Sequence, residues 1–155
     1  MRSPDGLKAI AAGLGANNVN YRAVKIRDGV KFVIDGEDAA ILIGRRGETM
    51  DSLQYLCLLV SNRAGDDYCK ITLDVAGYRS KRERTLEDLA QKVARKVLKT
   101  RYSQTLEPMN PYERRIIHSE VQNIEGVSTN SIGSENNRRV VMFLDDSKPS
   151  AETEA

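Results

Sequence analysis

Aromatic residues are scarce: the 155-residue chain has no tryptophan, two phenylalanines and an aromatic content of 5%, which leaves little material for stacking a ligand on side chains. Cysteine is scarcer still. Cys57 and Cys69 stand without Cys-x-x-Cys spacing, so a disulfide framework and a thiolate zinc site are both excluded. The single histidine, His118, argues against a metal cluster or a histidine relay. No uncharged apolar run approaches the roughly 20 residues that span a bilayer, and residues 1–15 lack the charged and apolar regions of a signal peptide. A cytoplasmic protein without an integral membrane segment is expected. Enzyme signatures are missing too. There is no phosphate loop ending in Gly-Lys-Ser/Thr and no Gly-x-Ser-x-Gly, and Gly13-Leu14-Gly15 lacks the third glycine and the preceding strand of a dinucleotide site. These absences predict a protein with no catalytic activity, no cofactor and no metal.

What the chain does hold is 40% hydrophobic and 30% charged residues, enough apolar material for a core and a length that suits one domain or two small ones. Its net charge of +2 conceals an uneven distribution. Between residues 79 and 101, nine basic residues stand against Glu83, Glu87 and Asp88, a local balance of +6. Such a run suits a polyanion, with nucleic acid foremost, and equally suits an ordinary solvated helix face. From residue 145 to 155, four acids stand against Lys148, a balance of −3 without periodicity. That acidic tail is expected to be disordered.

Alternating segments over residues 22–35 flank Asp28-Gly29 and predict a hairpin turning there, with Val30, Phe32 and Ile34 on one face. Residues 4–14 carry weak helical spacing. A short helix over 37–43, the tetrapeptide Gly44-Arg45-Arg46-Gly47, and a helix over 49–62 with an apolar stripe of Met50, Leu53, Leu56, Cys57 and Val60 come next. Residues 68–75 alternate as a third strand. The longest periodic segment, 78–101, carries Leu86, Leu89, Ala90, Val93, Ala94, Val97 and Leu98 on one face and much of the basic charge on the other. Asn110-Pro111-Tyr112-Glu113 has the form of an N-cap, a first-turn proline and a capping-box glutamate. It opens a helix to about residue 123, lined by Ile117, Val121 and Ile124. Residues 127–131 and 138–144 form two strands joined by a polar turn containing Gly133, Asn136 and Asn137. The expected fold class is α+β in two units, residues 1–77 with a helix at 1–16, and residues 78–144, followed by the tail at 145–155.

Two constellations could carry chemistry. In Gly44-Arg45-Arg46-Gly47 the glycines let the backbone approach a phosphate, the following helix supplies N–H groups and the positive end of its dipole, and Arg45 and Arg46 add charge. A lone Gly-x-x-Gly is equally a tight turn between helices. Its setting, after a hairpin and a short helix and before a helix and a third strand, is that in which KH domains clamp a single-stranded backbone. Arg114 and His118, four apart, fall on one side of the capped helix at the border of its apolar face. A guanidinium fork for phosphate beside an imidazole that donates or stacks would suit single-stranded nucleic acid. A structural brace against the following strands is the alternative.

Residues 41–56, Ile-Leu-Ile-Gly-Arg-Arg-Gly-Glu-Thr-Met-Asp-Ser-Leu-Gln-Tyr-Leu, closely resemble the KH segment of the SpoIIIJ-associated (Jag) bacterial RNA-binding proteins. Asp74-Val75-Ala76-Gly77-Tyr78-Arg79, Thr85-Leu86-Glu87-Asp88-Leu89-Ala90 and residues 106–118 resemble that family's second domain, named for an Arg-x-x-x-His motif matched here by Arg114 and His118. The resemblance covers roughly residues 5–144. It implies a KH domain followed by a small α+β Arg-x-x-x-His domain, binding of single-stranded RNA with single-stranded DNA as a related ligand, and a small KH-only protein partner. It also implies a role as RNA chaperone or post-transcriptional regulator tied to cell elongation and envelope growth. By residue, Gly44, Arg45, Arg46 and Gly47 would clamp phosphate and Arg114 and His118 would make the second contact. Two departures stand out: the N-terminal Jag domain of typical members is absent from this sequence, and Ile132, Ser134 and Asn136 replace residues expected to be acidic or proline. An adaptor that pairs with another KH protein is the alternative function.

Overall fold

The computed structural model describes residues 5–63 and 67–148. They divide into two compact units, the first reaching to Ser80 and the second starting at Lys81. In the first, α1 (Asp5–Gly13) buries Leu7 and Ala11 despite its weak spacing. Strands β1 (Val19–Ile26) and β2 (Gly29–Gly36) form an antiparallel hairpin in which Ile26 pairs with Gly29. The two-residue turn is therefore Arg27-Asp28, one position earlier than Asp28-Gly29. Gly29 is a strand residue, and its missing side chain has another cause. A Cβ there would overlap the Lys70 backbone, because β3 (Lys70–Val75) begins beside it, pairs in parallel with β2 and gives the sheet order β1-β2-β3.

Between β2 and β3 lie α2 (Ala39–Ile43), a single 3₁₀ turn (Arg45–Gly47) and α3 (Glu48–Asn62). Phe32, Ile34, Leu42, Met50, Leu53, Cys57, Leu73 and Val75 make the core with Leu7. The buried stripe of α3 is narrower than its sequence suggests: Met50, Leu53 and Cys57 are buried, whereas Leu56 and Val60 are exposed. Those two lie on the flank of the helix that the sheet does not cover.

The second unit is built on α4 (Tyr78–Thr100), which buries Leu86, Ala90, Ala94 and Val97 and leaves Leu98 exposed. Strand β4 (Gln104–Pro108), α5 (Pro111–Gln122), β5 (Val127–Ile132) and β6 (Arg139–Leu144) follow. The sheet order is β4-β6-β5, both pairings antiparallel. Sequence periodicity did not reveal β4, which buries only Leu106 and whose pairing becomes irregular before Pro108. Ile117, Val121, Val127, Val140 and Met142 close the core over the α4 stripe.

The disorder expected from Asp145 onward is corrected for its first four residues. Asp145 accepts a hydrogen bond from Ser128 Oγ (2.7 Å), and Lys148 Nζ donates to the carbonyls of Val121 (2.6 Å) and Val127 (2.7 Å). Those charge-assisted bonds supply what the tail's composition does not. The rest of the expected tail, residues 149–155, and residues 1–4 at the start of the expected first helix lie outside the described residues.

Candidate nucleic-acid interface

The phosphate-loop candidate turns on three departures from ordinary backbone. Gly44 has φ +69°, Arg46 φ +53° and Gly47 φ +78°. At Gly44 a Cβ would collide with the Thr49 side chain, and at Gly47 it would meet the Tyr78 ring edge. Arg46 holds a left-handed conformation without being glycine, which costs on the order of 1 kcal/mol. Strain of this kind persists where the surroundings fix it. The loop delivers Gly47 as the N-cap of α3 with no side-chain hydrogen bond to that cap, leaving the positive pole of the helix open beside an exposed Arg45 and a half-buried Arg46.

The acid nearest that pole along α3, apart from Glu48, is Asp51, and it is met by Arg79 Nη2 at 3.0 Å. Arg79 also donates to Gln54 Oε1 (3.1 Å) and the Leu73 carbonyl (3.3 Å), while the Leu73 N–H donates to the same Gln54 oxygen (2.9 Å). One member of the basic run is thus engaged in offsetting an acid close to the loop.

Helix α5 begins as its sequence predicts, with Asn110 Oδ1 accepting from the Glu113 N–H at 2.8 Å and Pro111 in the first turn. The capping-box role of Glu113 is corrected. Its side chain, 6% exposed, accepts from Arg82 Nε at 2.8 Å. A partner for a buried carboxylate outweighs one more cap bond.

Arg114 and His118 lie one turn apart on α5, both half-buried. Arg114 Nη1 donates to the Met109 carbonyl at 2.6 Å. The His118 ring spans two hydroxyls of β5, Nδ1 with Thr129 Oγ1 at 2.7 Å and Nε2 with Ser131 Oγ at 2.8 Å. In a neutral ring one nitrogen donates and the other accepts. Burial first, then the charges of Arg114 and Arg138, hold His118 below the ordinary histidine value. The neutral ring face and the remaining N–H groups of Arg114 are what this site offers a ligand. Sequence reasoning missed Thr129, Ser131, Arg138 and the Met109 carbonyl. The available signal was Val127-x-Thr129-x-Ser131, an alternation that puts two small hydroxyls on the core-facing side of a strand.

Among the described residues no helix is long and apolar enough to cross a membrane, and no group of three or more His, Cys, Asp or Glu side chains is placed to hold a metal ion. Residues 5–73 match the model of the KhpA/KhpB KH domain, and residues 84–144 that of the R-three-H domain, the Arg-x-x-x-His module. The chain belongs to the KhpB/Jag family. A KhpB/Jag relative from Clostridium symbiosum, named RNA-binding protein KhpB, is 52% identical over 111 residues, covering 72% of this chain and 50% of the relative. One of the same name from Bacillus subtilis strain 168 is 44% identical over 115 residues, covering 73% of this chain and 55% of the relative. The chain therefore spans about half the length of these curated relatives. Both KhpB/Jag domains are binding domains rather than enzymes, and their order agrees with the α+β architecture expected from the sequence.

Proposed function

We propose that this chain binds single-stranded RNA, with Gly44, Arg45, Arg46 and Gly47 clamping backbone phosphate and Arg114 and His118 forming a second contact. The observation that carries the reading is the loop itself: two positive-φ glycines flank Arg45 and Arg46 in a turn that opens a helix without a side-chain cap. The names of the KhpB relatives support RNA as the ligand, and single-stranded DNA shares the chemistry the loop recognises. At the second contact Arg114 acts as the charged group and His118 as a neutral stacking or hydrogen-bonding group. The wider role proposed is that of a cytoplasmic RNA chaperone or post-transcriptional regulator serving cell elongation and envelope growth. Replacing Arg45 and Arg46 together with Asp is expected to lower RNA affinity tenfold or more at a temperature where the variant remains folded, since two acids then face the phosphate in place of two cations. Unchanged affinity in a low-salt titration would remove the loop from the binding site.

A second reading, pairing with a small KH-only protein, draws support from the exposed apolar flank of α3, where Tyr55, Leu56, Leu59 and Val60 face outward. Leu59→Glu is expected to abolish association with such a partner in light scattering and leave RNA titration intact; association that survives the change would place the pairing elsewhere.

A further inference from the structure

The basic run on α4 is not uniform once its partners are known. Arg79 is paired with Asp51, Arg82 with Glu113, and Arg101 lies 3.8 Å from Asp146. Lys92, Arg95, Lys96 and Lys99 are all exposed, and among the described residues their side chains form no ion pair or hydrogen bond. At 3.6 residues per turn these four fall within about 100° of arc, opposite the buried stripe, along about 10 Å of helix. They are also one another's neighbours. Lys92–Lys96 and Arg95–Lys99 are i,i+4 pairs and Lys92–Arg95 and Lys96–Lys99 are i,i+3 pairs, all of like charge and therefore mutually destabilising. Asp88, one turn before Lys92, is the only acid at such spacing to any of them. A solvated helix face ordinarily mixes signs, so four adjacent cations with one acid at their margin call for an anion from outside. Just past the end of the helix stands Tyr102, 76% exposed. Its N–H is held by Thr100 Oγ1 at 3.4 Å, which fixes the backbone while the ring is left outward.

We infer that Lys92, Arg95, Lys96, Lys99 and Tyr102 form a further nucleic-acid site, in which the four cations track the phosphates of a single strand and the tyrosine stacks a base. Single-stranded RNA is the committed ligand because an aromatic ring following a row of cations answers to a base following a phosphate backbone. An acidic peptide would use the cations alone. The inference rests on the RNA-binding reading but on none of the residues that carry it.

The test titrates the full chain with a labelled single-stranded uridine oligoribonucleotide between about 50 and 200 mM salt. Arg95→Gln with Lys99→Gln is expected to lower affinity at least threefold and to shrink the slope of log affinity against log salt by about 0.7 for each phosphate no longer neutralised. The melting temperature should hold or rise, because like-charge repulsion has been removed. Tyr102→Ala is expected to weaken binding at an unchanged slope, as loss of stacking would. The charge-matched control is Lys25→Gln with Arg27→Gln at the β1–β2 hairpin tip, exposed in the same way, and should leave the slope near that of the parent chain. Equal slope changes in the two double variants, or none in either, would overturn the site. So would competition by polyglutamate as effective as by unlabelled RNA. If Arg45→Asp with Arg46→Asp weakens binding and the α4 variant does not, this inference alone falls; the reverse pattern removes the phosphate loop and leaves the α4 site standing.

Discussion

His118 lies half-buried beside two arginines, which makes protonation unfavourable, and its consequence can be signed. Its folded pKa lies below the ordinary histidine value, through burial and then the charges of Arg114 and Arg138. The unfolded chain therefore takes up the proton first as pH falls below about 6.5. Stability is present in full above that value and is lost as pH falls from it to the depressed folded value. Thermal unfolding from about pH 7.5 to 5.5 is expected to show a decline in melting temperature that shrinks in His118→Gln. RNA affinity is expected to stay flat over the same window, because no charged imidazole meets phosphate; a rise in affinity as the pH falls would restore the charged contact. His118→Ala should cost about 1–3 kcal/mol by depriving the Thr129 and Ser131 hydroxyls of their partner. None of this could be read from Arg-x-x-x-His alone. Spacing places two side chains on one face of a helix, and the strand that engages His118 lies more than ten residues further on.

At the scale of elements, the tie between α4 and α5 runs through Arg82 and Glu113, with 25% and 6% of their side chains exposed. Arg82→Ala leaves a carboxylate buried and unpaired and should destabilise by about 3 kcal/mol, whereas Arg82→Leu with Glu113→Leu should recover most of the loss. Urea unfolding of Arg82→Leu, Glu113→Leu and the double measures the coupling; additive losses would mean that the ion pair contributes nothing of its own. The long helices and most strands were legible because their apolar periods are sustained: α4 shows its stripe from Leu86 to Leu98, more than three turns, and β3 alternates Ile71, Leu73 and Val75. The five-residue β4 was not legible, since one buried leucine makes no period. Glu113 was misassigned for a related reason. Position in a capping box is a local signal, and a half-buried arginine from another helix is not local. Gly29 marks the same limit, because its constraint is the close approach of a strand some forty residues away.

For the whole molecule, the two cores share no residue, Leu42 and Leu73 serving one and Val97 and Val140 the other. Leu42→Ala is expected to cost about 2–5 kcal/mol in the first unit while the amides of Val121 and Val140 keep their hydrogen-exchange protection. Loss of protection in both units at once would mean that they unfold together. The division of charge was legible in outline, since the +6 run stands out in the sequence. Which of its cations are engaged internally was not, because Asp51 and Glu113, which take up Arg79 and Arg82, belong to helices on either side of it. One last feature bears on how the chain can be handled. The ammonium of Lys148 bridges a carbonyl near the end of α5 and one at the start of β5, so it works as a clasp at the end of the second unit. A protease cut or a reporter joined on the amino side of Lys148 would open that clasp. The first safe junction for a fused tag at this end is therefore after Lys148, not at the close of the last strand.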